Sequence, residues 1–145
     1  MPAIFVDTDN NDPNKKLYNG LKAGSSAAKA EGKMQAVVKR IVDKAAGFTT
    51  TKFDKPKGYA IRLEVSKVEI ADHKTTCRLS GSIVRYPPTV TMKRGAGEEM
   101  VSTSMSSGAT ADGTSEGSLL DAVEAIAESL VTQSLPIMRA DYLKR

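Results

Sequence analysis

Residues 59–70 read YAIRLEVSKVEI, and the way this stretch alternates decides the fold. Tyr59, Ile61, Leu63 and Val65 are separated by Ala60, Arg62 and Glu64, with Ser66 following. Period two sends the two sets to opposite sides of a pleated strand, so the spacing predicts one dry face and one wet face. After Ser66 the apolar positions change phase, to Val68 and Ile70. A bulge near 66–67 is expected, because one extra residue returns both side chains to the dry face. ADHK at 71–74 then turns the chain. The stretch CRLSGSI at 77–83 repeats the alternation, with Cys77, Leu79, Gly81 and Ile83 inward and Arg78, Ser80 and Ser82 outward. An antiparallel hairpin is the expected centre of the fold.

Downstream, Pro87 and Pro88 stop this pairing, since proline has no N–H for a ladder. TVTM and MVSTSM flank KRGAGEE, whose two glycines suit a hairpin turn. Residues 100–106 are predicted as the third long strand. The polar run SSGATADGTSEG that follows reads as a flexible segment near 106–117. Ser118 is the expected cap of a last helix, with Asp121 three residues on in the manner of a capping box. Leu119, Leu120, Val123, Ile126, Ala127, Leu130 and Val131 form its apolar stripe, and Pro136 is expected to kink or end it.

Upstream, Met34, Val37, Val38, Ile41, Val42 and Ala45 recur at intervals of three and four, which predicts a helix over 33–46. Gly47 is placed to supply its left-handed cap. Before it, glycines, serines and alanines suggest a second flexible segment near 20–31. The apolar run at 3–6 reads as a short strand ending at Asp7. A short edge strand is also allowed within 49–58.

The totals set bounds. A chain of 145 residues, 40% hydrophobic and 26% charged, suits one domain over 1–145. Trp is absent and aromatics are 5%, so the core must be aliphatic. The predicted class is α+β: a mainly antiparallel sheet of about four strands with two helices packed on one face. No run approaches the roughly 18 apolar residues of a membrane-spanning helix. Met1 and Pro2 lead straight into a strand-like run, which reads as a native start or as a chain whose leader was removed.

Candidate chemistry is concentrated in residues 7–12, where three aspartates and two asparagines crowd together. An apolar strand followed by Asp7 and Asp9 resembles the opening of haloacid-dehalogenase-type phosphotransferases, in which the first Asp is the nucleophile. Asn11 stands where that family needs Thr or Val, and no acidic pair ends a later strand. Asp7, Asp9 and Asn11 also match positions one, three and five of a calcium loop, as weak metal candidates. Asp12 and Tyr18 occupy the places that need Gly and Glu. Asx side chains bond their own backbone in turns, so a turn is the expected role of these acids. His73 and Cys77 are too few for structural zinc, and alternation sends Cys77 inward as an inert thiol. A net charge of +4 and scattered lysines over 15–44, without stacking aromatics, disfavour nucleic acid. No cofactor is expected.

AIFVDTDNND with a following helix, the pair YAIRLEVSKVEI and TCRLSGSIVRY, and the closing GSLLDAVEAIAESLVTQSL together resemble small bacterial envelope domains. These are the amino-terminal domains of the curli-secretion lipoprotein, penicillin-binding-protein activator and Tol translocation-protein group. The resemblance implies a non-enzymatic domain, periplasmic or envelope-associated, that binds a protein partner or helps assemble a larger machine. It also implies an accessory role of the kind lipoproteins fill. A cytoplasmic location is the alternative, and self-association is open. The chain departs from the group in its 20–31 insertion, its PPTVTMKRGAGEEM excursion and its lack of a lipidated amino-terminal cysteine. Arg62, Glu64, Arg78 and Ser80, on the expected wet face, are the candidate partner contacts, and residues 3–6 are a candidate edge for a partner strand.

Overall fold

The hairpin expected from residues 59–83 forms the middle of the molecule. The computed structural model describes residues 3–8, 25–53, 57–86 and 100–144. Its elements run β1 (Ile4–Asp7), α1 (Ser25–Lys44), β2 (Phe48–Thr49), β3 (Gly58–Ala71), β4 (Lys74–Tyr86), β5 (Met100–Asp112) and α2 (Glu116–Lys144). Ile61 pairs with Ile83 and Leu63 with Gly81, and the register shifts between Val65 and Lys67, where the change of phase predicts a bulge. Asp72 and His73, both at positive φ, form the two-residue turn that brings Ala71 opposite Lys74.

The expected class is corrected at the sheet. It is a mixed sheet of five strands in the order β2-β1-β3-β4-β5, not a mainly antiparallel one of about four. A helix packed back between two strands reverses the chain twice, so β2 leaves α1 parallel to β1, and β3 joins the other side of β1 in the same direction. Only the β3–β4 and β4–β5 pairs are antiparallel. The expected edge at 3–6 is therefore occupied in part: β1 lies between β2 and β3, with Ile4 and Phe5 paired to β2 and Phe5 and Val6 to β3. A Cβ at Gly58 would stand 1.7 Å from the Phe5 carbonyl oxygen, so glycine lets β1 approach β3 this closely.

The remaining element bounds also differ from expectation. α1 begins at Ser25, so 25–31 is helix where a linker was expected. The alanines at 27, 28 and 30 carry high helix propensity and outweigh Gly32. Gly47, at φ 84°, caps the helix end as expected, and its carbonyl accepts the first N–H of β1 from Ile4 at 2.8 Å. β5 continues to Asp112, so residues 106–112 are strand. α2 begins at Glu116, and its cap is Ser115: the Ser115 hydroxyl oxygen accepts from the Ser118 N–H at 3.2 Å. Ser118 is instead buried, and its hydroxyl donates to the Asp112 carbonyl at 2.8 Å. Pro136 does not end α2, which continues to Lys144 with Met138 fully buried beyond the proline. Packing there offsets an interior proline cost of about 3 kcal/mol.

One core joins both helices to the sheet. Met34, Val37, Val38 and Val42 from α1 meet Val123, Ile126, Leu130 and Val131 from α2 and Tyr59, Leu63, Leu79 and Ile83 from the strands. α2 lies across β3, β4 and β5, while α1 packs on α2 and β2. The helices run parallel, as their ion pairs show: Lys29 meets Glu116 at 2.7 Å, Lys33 meets Glu124 at 3.0 Å, and Arg40 meets Glu128.

Candidate functional site

The expected wet face holds over only part of the sheet. Glu64 and Arg78 are exposed and Ser80 is half-buried, with Glu64 directly opposite Ser80. Arg78 lies opposite Lys67 and donates to the Ser106 hydroxyl at 3.1 Å. Arg62, placed with them by alternation, is instead 4% exposed. It shares its side of the sheet with Phe5, Ala60 and Val84, all buried. Next to them Phe5 packs edge-on against Tyr86 at 5.0 Å and against Phe53 at 6.5 Å. The second face is dry at this end, and Arg62 is withdrawn as an accessible partner contact.

The outer face opens into a groove of about 490 Å³ at the other end of the hairpin. Lys67, Glu69, Thr76, Arg78, Gly108 and Thr110 line it. Thr76 and Thr110 face each other across β4 and β5 with their hydroxyls 2.9 Å apart. Beside this groove runs the end of β3, which the alternation predicts as strand but whose exposure it does not. Residues 66–71 are all exposed, and among the described residues nothing pairs with their outer edge. Val68 and Ile70 do return to the core-side face, opposite Cys77 and Thr75. They nevertheless remain 37% and 59% exposed, while Cys77 and Thr75 are 0% and 1% exposed. Burial therefore falls off between β4 and β3. The signal was present in the alternation of Lys67 and Glu69 with Val68 and Ile70. Whether that apolar face is sheltered is not a property of the strand itself.

The other candidates are placed as follows. Asp7 ends β1 half-buried, within electrostatic reach of Lys52. Asp9 and Asn11 lie outside the described residues. Among the described residues, no three His, Cys, Asp or Glu side chains gather as a metal site. The Cys77 thiol is buried in the core, and burial pushes its pKa up to about 11. Lys52 sits 5.6 Å from the Tyr86 ring centroid, and its hydrogen bond with Tyr86 raises its pKa. Of the cations in α1, Lys29, Lys33 and Arg40 are engaged by acids of α2, and Lys39 pairs with Asp43 at 3.0 Å.

A polar network, also missed, ties the end of α2 to the sheet. The Asp141 carboxylate accepts from the Tyr59 hydroxyl at 2.6 Å and from two nitrogens of Arg85 at 3.1 and 2.8 Å. Arg139 donates to the Ala46 carbonyl and lies 5.1 Å from the Phe48 ring centroid, joining the ends of the two helices. Both contacts join residues more than fifty positions apart in the chain, so no local motif announces them. Among the described residues, no helix is long and apolar enough to cross a membrane.

No family model and no curated protein matches the chain. Among solved structures, it is similar to a candidate lipoprotein from Caulobacter crescentus, at 13% identity and a TM-score of 0.45. The match covers 86% of this chain and 88% of that one. At that identity and score the likeness carries no argument about fold or function.

Proposed function

We propose that this protein is a non-enzymatic binding or assembly module of the bacterial cell envelope that takes a strand of a protein partner along the outer edge of β3. The observation that carries this is the bare stretch 66–71, where Val68 and Ile70 stand beside an edge that no described strand pairs. An extended segment added there gains main-chain hydrogen bonds, and side chains at alternate positions gain apolar cover. Glu64, Arg78 and Ser80 on the neighbouring outer face supply polar contacts that select the register. The envelope setting rests on the resemblance in element order, and fractionation of the source cells tests it separately.

A photo-crosslinking residue in place of Val68, used in the source cells, is expected to yield a discrete covalent adduct. The adduct should disappear when Ile70→Asp places a charge beside the docked strand. Uniform background labelling that ignores Ile70→Asp would remove the proposal. Turnover of a small phosphorylated metabolite, lost on Asp7→Ala, would remove its non-enzymatic part.

A further inference from the structure

The charges on the bare edge are self-complementary. From 66 to 70 the chain reads Ser-Lys-Val-Glu-Ile, with Lys67 and Glu69 on the outer face either side of Val68. We propose that the partner strand is the same edge of a second copy, paired antiparallel about a twofold axis at Val68. This rests on the reading above that the edge takes a strand.

Antiparallel pairing about a twofold axis matches residue 68 with itself, 67 with 69 and 66 with 70. Each Lys67 then lies opposite Glu69 of the other copy, so the axis creates two opposite-charge pairs and no like-charge pair. Arg78, one strand further in and opposite Lys67, adds a second cation near the incoming carboxylate. Within one chain Lys67 and Glu69 are 3.8 Å apart and 65% and 60% exposed, so both charges are available to a neighbour. On the core-side face Val68 meets Val68 with an Ile70 flanking it on either side, which shelters part of the exposed apolar surface. A lysine alone on an edge repels a second copy and protects against such pairing. The glutamate two residues later cancels that protection for one register only.

Charge exchange tests the register. Sedimentation of the full chain over a rising concentration series should show a monomer–dimer equilibrium. Lys67→Glu and Glu69→Lys should each weaken the dimer by at least about tenfold, because each turns two attractive pairs into two repulsive ones. The double exchange K67E/E69K restores complementarity and should recover the wild-type constant. An equimolar mixture of the two single variants should also associate, since one then carries two acids and the other two bases. Both positions are solvent-exposed, and unchanged circular dichroism confirms folding in each variant. A wild-type chain that stays monomeric at every concentration overturns the inference, as does a double variant that stays weak. The Val68 crosslink separates the two levels. A monomeric chain with an Ile70-dependent adduct to another protein sinks the second copy but leaves strand docking standing. A monomeric chain with no adduct sinks both.

Discussion

The two halves of β3 obey the same alternation and meet different fates. From Gly58 to Val65 nearly every residue is buried, on both faces of the sheet; from Ser66 to Ala71 every residue is exposed. Both halves carry alternate apolar residues, and both pair with β4 along their length. They differ in what lies over and beside them. The first half has β1 on its other edge and the helix-covered core beneath it. Among the described residues the second has neither, although its β4 partners Cys77 and Thr75 are buried on the same face. Thr75 is held at the start of α2, where its hydroxyl donates to the Gly113 carbonyl at 2.9 Å. Local pattern sets the side to which a residue points, and neighbouring elements set whether that side is dry.

Truncation should give the widest contrast between the halves. Leu130→Ala, in the helix face that covers the sheet, is expected to cost about 2–5 kcal/mol in urea unfolding. Ile70→Ala, in the bare half, should cost under about 0.5 kcal/mol. Equal losses would show that the bare half is sheltered in solution. Next in size is Asp141→Ala, which strips the Tyr59 hydroxyl of its acceptor and Arg85 of its carboxylate. A loss of about 2 kcal/mol is expected, smaller than for a fully buried pair because the Arg85 side chain is 35% exposed.

The turn of the bare half can be strengthened without touching the core. Asp72 and His73 sit at φ 54° and 61°, which glycine adopts more easily than a side-chain-bearing residue. His73→Gly should therefore raise stability by about 0.5–1 kcal/mol. No change in global unfolding, with slower amide exchange at the hairpin tip, would show that the tip opens independently of the core.

The smallest effect is a pH dependence at the covered end. Hydrogen bonds from Thr50, then Lys39, hold the Asp43 carboxyl below its usual 3.8. A depressed folded-state pKa gives stability that is present above the unfolded value and lost as the pH falls through the folded one. Asp43 is largely wet, so the contribution is a few tenths of a kcal/mol. Wild type and Asp43→Asn should therefore differ more in stability at pH 6 than at pH 2.

Much of the fold was legible because it is written in short periods. The β3–β4 hairpin, its bulge, the Gly47 cap and both apolar helix stripes follow from spacings of two to four residues, which the backbone converts directly into faces. A short edge strand was allowed only within 49–58, whereas β2 is Phe48–Thr49, because two residues carry no period that would place them. The parallel pairing of β1 was missed for a related reason, since direction depends on the whole path through α1. Arg62 was misassigned because alternation names a face without saying what covers it. Asp7 was legible as the end of a strand, while its proximity to Lys52 was not.

By itself, then, the order of residues determined where the central hairpin and the two amphipathic helices form and which side of each is apolar, since these depend on neighbours within a turn or a pleat. Tertiary structure alone decided the sheet order, the burial of Arg62, the Tyr59–Asp141–Arg85 network and the exposure of residues 66–71. Those features arise from contacts between segments far apart in the chain, and no local spacing encodes which distant surface arrives to complete them.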